Sequence, residues 1–121
     1  MTAHAEWKYV TSTTNLPNNF DSYIDYSRIR TEGRYKSMWT LANFSSPVTT
    51  SNRTYNSRVV KWMIDCQGRR TQPIAHYDYS EQMSNGQVVD SENFPIIESG
   101  WQNPPPNSVG DGYVNIACGR K

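Results

Sequence analysis

The stretch Arg58-Val-Val-Lys-Trp-Met-Ile-Asp-Cys66, together with the distant Cys118, limits what this chain can fold into more than any other feature. Val59, Lys61, Met63 and Asp65 alternate with Val60, Trp62, Ile64 and Cys66, so an extended backbone sends the two sets to opposite sides. One row is apolar and the other mixed. β-Branched and aromatic residues at this density predict a central strand. The strand ends at a cysteine followed by a Gln67-Gly68 turn. The chain has 2 cysteines, and the second stands close to its end. The sequence therefore predicts a disulfide, Cys66–Cys118, fastening the central strand to the C-terminal segment.

At 121 residues the chain is long enough for one domain with a single modest core. Apolar content is 36%, so the 8 tyrosines and 4 tryptophans must supply much of the buried area. A net charge of +1 carries no general argument for nucleic acid as a partner. No apolar run approaches the roughly 20 residues of a membrane-spanning helix. Two cysteines so far apart suit neither a four-ligand zinc site nor a CxxC redox motif. A bridge between them needs an oxidising compartment. Ala3-His4-Ala5 has the small-x-small pattern of a signal-peptide cleavage site. We read 1–5 as a chain start with the remnant of a removed signal peptide, and 6–121 as one domain, exported to the periplasm or the cell surface.

Alternation predicts a first strand over Glu6–Thr11 and a short one over Ser22–Tyr26, separated by a polar loop, Ser12–Asp21. Ser27–Thr31 reads as extended or as one turn of helix. Glu32-Gly33 is a hairpin signal leading into the longest alternating run, Arg34–Phe44. Ser45–Asn56, rich in Ser, Thr and Asn and holding Pro47, reads as a second loop before the central strand. Arg69–Tyr79 predicts another strand, with Pro73 marking an edge or a bulge. Ser80–Pro95 is polar, with a turn at Ser84-Asn85-Gly86 and brief pairing at Val88-Val89. After the rigid, extended Trp101–Pro106 link, Ser108 and Asp111 resemble a capping box opening a helix. Val109, Tyr113, Ile116 and Ala117 recur on one helical face. The fold class is α+β: an antiparallel sheet of five or six strands, a short C-terminal helix packed on it and one disulfide.

Chemistry has few candidates. His76 and Asp78 share a strand face, yet no nucleophile accompanies them. His76, Asp78 and Glu81 offer too few metal donors for their spacing to stand out from chance. Gly33, Gly68, Gly86 and Gly100 are isolated turn glycines, not a phosphate cradle. No catalytic residue, metal or cofactor is assigned, and the chain is read as a non-enzyme. Arg53, Arg58, Lys61, Arg69 and Arg70 are the candidate partner-binding residues. Arg58 and Lys61 fall on opposite strand faces, which argues against one continuous patch, and basic residues also serve to protect sheet edges.

Several pieces in order resemble the surface-adhesin protein E family of Gram-negative bacteria. They are Trp7, Tyr23-Ile-Asp25, Ser27-Arg-Ile-Arg-Thr-Glu-Gly33, Trp39-Thr-Leu41, Ser57 ahead of Asp65-Cys66, Tyr77, Trp101, Pro105-Pro106, Ser108 and Ala117-Cys118. The resemblance implies a sheet with a C-terminal helix and an Asp-Cys to Ala-Cys bridge. It further implies binding to host extracellular-matrix or plasma proteins such as vitronectin, laminin and plasminogen, and a homodimer as one state. The alternative is a periplasmic inhibitor or envelope-assembly factor that binds an enzyme or envelope protein. Ser12–Asp21 and Ser45–Asn56 are the loops expected to carry binding.

Overall fold

A computed structural model describes residues 5–14 and 19–119. The cleavage pattern and His4 lie outside the described residues, as does part of the Ser12–Asp21 loop. Strands β1 (Trp7–Thr13), β2 (Phe20–Asp25), β3 (Arg30–Glu32), β4 (Tyr35–Thr50), β5 (Arg53–Asp65), β6 (Arg70–Tyr79) and β7 (Val88–Asn93) precede one helix, α1 (Val109–Cys118). They form one 7-stranded antiparallel sheet in the order β1-β2-β4-β5-β6-β7, with β3 beside β4. This exceeds the five or six strands expected. The difference is β3, too short to alternate visibly, together with a β7 longer than the brief Val88-Val89 pairing.

The strand Arg58–Cys66 was expected at the centre, and β5 lies between β4 and β6. The larger correction is at Ser45–Asn56. It is not a loop: β4 and β5 run on as a two-stranded ribbon, with Val48, Thr49 and Thr50 opposite Tyr55, Thr54 and Arg53. Serine, threonine and asparagine are poor evidence for a strand when no face is buried, and most of 45–54 is exposed. Pro47 is accommodated because the register shifts between Asn43 and Val48, where a bulge does not require its missing N–H. Pro73 has the same explanation. The β5–β6 register shifts there, with Lys61 opposite Ala75 but Trp62 opposite Pro73.

The core lies between α1 and one face of the sheet. Ile24, Met38 and Ile64 pack with Tyr113, Val114 and Ala117, with Trp62 and Cys66 beside them. Val114, outside the expected helical stripe, is fully buried. Ser108 caps the helix by accepting from the Asp111 N–H at 3.1 Å. The Asp111 carboxylate accepts from the Asn107 N–H at 3.0 Å. Gly110 has a packing reason to lack a side chain, because a Cβ there would stand 3.0 Å from Pro104. Cys66 and Cys118 are bonded, their Cα atoms 5.7 Å apart, a usual span for a disulfide.

The opposite face also buries apolar groups. Tyr9, Tyr23, Leu41, Val59 and Tyr77 lie in one row across five strands, and Leu41 and Val59 are buried. The turn Gln82–Ser84 is pinned onto β4 and β5 here. The Met83 N–H donates to Asn43 Oδ1 at 2.6 Å and the Ser84 N–H to Ser57 Oγ at 3.0 Å. The Trp7 indole N–H reaches Ser84 Oγ at 3.4 Å, so β1 meets this turn. The sequence-level mixed face is therefore a second packed face.

Candidate binding surface

The five basic residues do not converge. Arg53 stands on the ribbon, half exposed, 3.7 Å from Asp90. Arg58 is opposite Asp78 in the β5–β6 ladder and grips it with both arms, at 2.6 and 3.0 Å. These hydrogen bonds hold the guanidinium pKa above its ordinary value. Lys61 occupies the other face, 3.7 Å from Glu32 and over the Trp39 ring. The Ser37 hydroxyl at 2.6 Å, helped by Lys61, keeps the Glu32 carboxyl below the usual range.

Arg69 and Arg70 are structural ties. Arg69 follows the turn after Cys66 with a φ of 52° and donates to Asp111 at 2.7 Å and Asn115 at 2.8 Å, joining that turn to α1. Arg70 donates to Asp65 from two nitrogens, at 3.1 and 2.7 Å, and lies over the Trp101 ring. The Asp65 carboxyl is buried, and the Arg70 hydrogen bonds, with the Gly68 N–H, hold its pKa low. With 12 basic and 11 acidic residues in the chain, each candidate cation found an acidic neighbour. To serve a partner, each must give up or share an ion pair.

His76 and Asp78 share a face as expected, but Glu81 is not with them. Asp90 and Glu92 of β7 take its place, 3.5 and 4.0 Å from His76 Nε2. Sequence reasoning missed them because the β6–β7 register is invisible in the chain. The available signal was the alternation Val88-Val89-Asp90-Ser91-Glu92.

The two segments expected to carry binding do meet. The Ser45 N–H donates to the Asn19 carbonyl at 3.1 Å, and Ser12 donates to Asp21 at 2.6 Å. Ser12, Asn19, Asp21, Asn43, Ser45 and Gln82 line a cleft of about 330 Å³ at the foot of the ribbon. Its hydroxyls, amides and carboxylate offer both donors and acceptors. A separate, mostly apolar groove of about 290 Å³ lies where Trp62, Val60 and Ala42 meet Val109 and Tyr113 at the start of α1. There the Trp62 indole N–H donates to Thr40 at 2.9 Å, and burial raises the Tyr113 phenol pKa.

The sequence profile of the surface-adhesin protein E family matches residues 7–119. No curated protein matches the chain by sequence. Its fold is similar to solved structures of Haemophilus influenzae protein E. One matches with a TM-score of 0.65 at 12% identity, over 98% of this chain and 91% of that one. A second crystal form matches with a TM-score of 0.64 at 14% identity, over 92% and 87%. Protein E from a non-typeable strain matches with a TM-score of 0.61 at 12% identity, over 96% and 86%. At these identities the likeness is one of fold.

Proposed function

The chain belongs to the surface-adhesin protein E family, and from that premise we propose that it is an exported, non-enzymatic surface module that binds a host matrix or plasma protein. The partner surface in this reading is the ribbon end: residues 45–54 with the polar cleft at their foot. The observation that carries it is the meeting of Ser12–Thr14 and Asn19–Asp21 with Asn43, Ser45 and Gln82 around one cleft. Short hydroxyl and amide side chains there can exchange water for a partner's backbone and polar groups without breaking an ion pair. Among the basic candidates, Arg53 stands on this surface. Arg58, Lys61, Arg69 and Arg70 stand elsewhere, in the pairs already described. Among the described residues no helix is long and apolar enough to cross a membrane.

The test is a binding titration of the oxidised chain against immobilised vitronectin, laminin and plasminogen at physiological salt. Saturable binding is expected, weakened at least about tenfold by combining Thr49→Ala, Asn52→Ala and Thr54→Ala, with the unfolding midpoint little changed. Equal binding by that variant would move the partner surface away from the ribbon. Absence of binding to all three, with the protein shielded from label on intact cells, would instead support the periplasmic inhibitor or assembly-factor reading.

A further inference from the structure

In the β6–β7 ladder Asp78 stands directly opposite Asp90, and His76 directly opposite Glu92. Opposite residues share a face, so one imidazole and three carboxylates gather at the sheet edge. Like charges placed directly across a strand pair repel. Arg58 offsets Asp78 through its two-armed grip, and Arg53 offsets Asp90 more weakly from 3.7 Å. Among the described residues, no guanidinium or ammonium group pairs with Glu92. Three carboxylates thus face two guanidinium groups, with the imidazole of His76 in their midst.

We propose that His76, Asp78, Asp90 and Glu92 form a binding site for one divalent transition-metal ion of the zinc type. His76 Nε2 lies 3.5 Å from Asp90 Oδ2, 3.9 Å from Asp78 Oδ2 and 4.0 Å from Glu92 Oε1. The donor atoms of His76, Asp78 and Asp90 all fall within 4.8 Å of one another. A tetrahedral ion with bonds of about 2.0–2.2 Å sets its donors roughly 3.3–3.6 Å apart. The distances from His76 therefore need a contraction of about half an ångström, and the carboxylate oxygens, within 4.8 Å of one another, one of up to about an ångström or slightly more. Glu92, mostly exposed, and Asp90, both on the edge strand, are placed to supply it. Asp78 is the fixed point, because Arg58 orients its carboxylate. Each of its oxygens keeps a second lone pair, so guanidinium and metal can share it, as outer-shell partners commonly do.

A second observation, independent of the carboxylates, is access. A cavity of about 450 Å³ opens onto His76, with Val60, Trp62, Pro73 and Phe94 in its walls beside Arg58, whose charge is engaged by Asp78. It gives an ion an entry path and gives a water room to complete the coordination. The nitrogen donor decides the metal class: imidazole suits zinc, nickel and copper, whereas carboxylates alone suit magnesium and calcium.

The experiment is isothermal titration of the full oxidised chain with zinc chloride near neutral pH, with magnesium and calcium as separate arms. One saturable zinc site is expected, together with a zinc-dependent rise in melting temperature. His76→Ala and Asp90→Asn should each weaken binding at least about tenfold and abolish the melting shift. His4→Ala, which removes the chain's other imidazole, and Glu81→Gln should bind as the parent does. Should His76→Ala fail to fold by circular dichroism, His76→Gln replaces it, keeping ring-sized volume without an imidazole donor. No saturable zinc binding, equal binding without His76, loss of binding with His4, or calcium binding as tight as zinc would each overturn the proposal.

Discussion

Met38 and Ile64, at one end of the β4–β5 ladder, lie under Val114 and Ala117. The disulfide, the Ser108 cap and the Arg69–Asp111 pair all close around that end. At the other end Val48–Thr50 face Arg53–Tyr55, and among the described residues no third strand pairs with them, since β2 stops opposite Phe44 and β6 opposite Ser57. The same two strands are thus held by burial and a covalent tie at one end, and by ladder hydrogen bonds and short side chains at the other. The difference separates tasks. The packed end carries the free energy of folding, which leaves the ribbon end free to be polar, exposed and tolerant of change.

The sharpest way to break that comparison is to open the packed end. The bridged cysteines are 52 residues apart in sequence, and chain-entropy arithmetic gives about 4 kcal/mol for a loop of that length. Against a typical domain stability of about 5–15 kcal/mol, the pair Cys66→Ser and Cys118→Ser should shift the urea midpoint far down and release α1. If the variant's midpoint stayed within error of the parent's, α1 would not depend on its covalent tie. Val114→Ala tests the burial half of the same end. Val114 is 0% exposed, so removing its two methyl groups should cost about 2 kcal/mol in chemical denaturation.

Acid sharpens the contrast by acting on one ion pair of the packed end. The Arg70 hydrogen bonds keep the Asp65 carboxyl pKa low in the folded protein. The unfolded chain, with a carboxyl near the ordinary value of about 3.9, binds that proton more readily. The pair's stabilisation is therefore present above about pH 4 and is lost as pH falls through the folded value. A urea midpoint measured from pH 7 down to pH 3 should fall at the acid end. It should fall less in Asp65→Asn, which is weaker throughout but has no carboxyl to protonate. A fall just as steep in that variant would assign the acid sensitivity to other carboxylates.

The packed end was the legible one. The rows Val60-Trp62-Ile64 and Met38-Thr40-Ala42 alternate because their face is buried, and burial is what writes a period of two into a strand. The two cysteines left one pairing, and Ser108 with Asp111 marked the helix start. Val114 was missed because Gly110 and Gly112, both ahead of Tyr113, blur the helical stripe. The ribbon was illegible for the converse reason: with neither face buried, Ser45–Thr54 carries no alternation, and it reads as a loop although its backbone is paired. The ion pairs of the basic residues were hidden in a third way. Charge is visible in sequence, but partners brought from 42 residues away, as Asp111 is to Arg69, are not.

The smallest predicted effect probes the ribbon tip. Ser51, which begins the turn between Thr50 and Arg53, has a φ of 50°. A non-glycine residue in that left-handed region costs about 1 kcal/mol. Ser51→Gly removes the strain but gives the unfolded chain more freedom, an opposing effect of about 0.5–1 kcal/mol. The two nearly cancel, so the urea midpoint should move little in either direction. Cross-strand hydroxyl pairs such as Thr49–Thr54, 3.1 Å apart and exposed, contribute only about 0.2–1 kcal/mol, so they cannot amplify a change at the tip. A loss above about 2 kcal/mol in Ser51→Gly would mean that the ribbon is coupled to the core, and the division of labour between the two ends would fail. A near-zero change accompanied by altered partner binding would instead place the functional constraint on Ser51 itself, where a strained backbone is kept for what it presents and not for what it holds together.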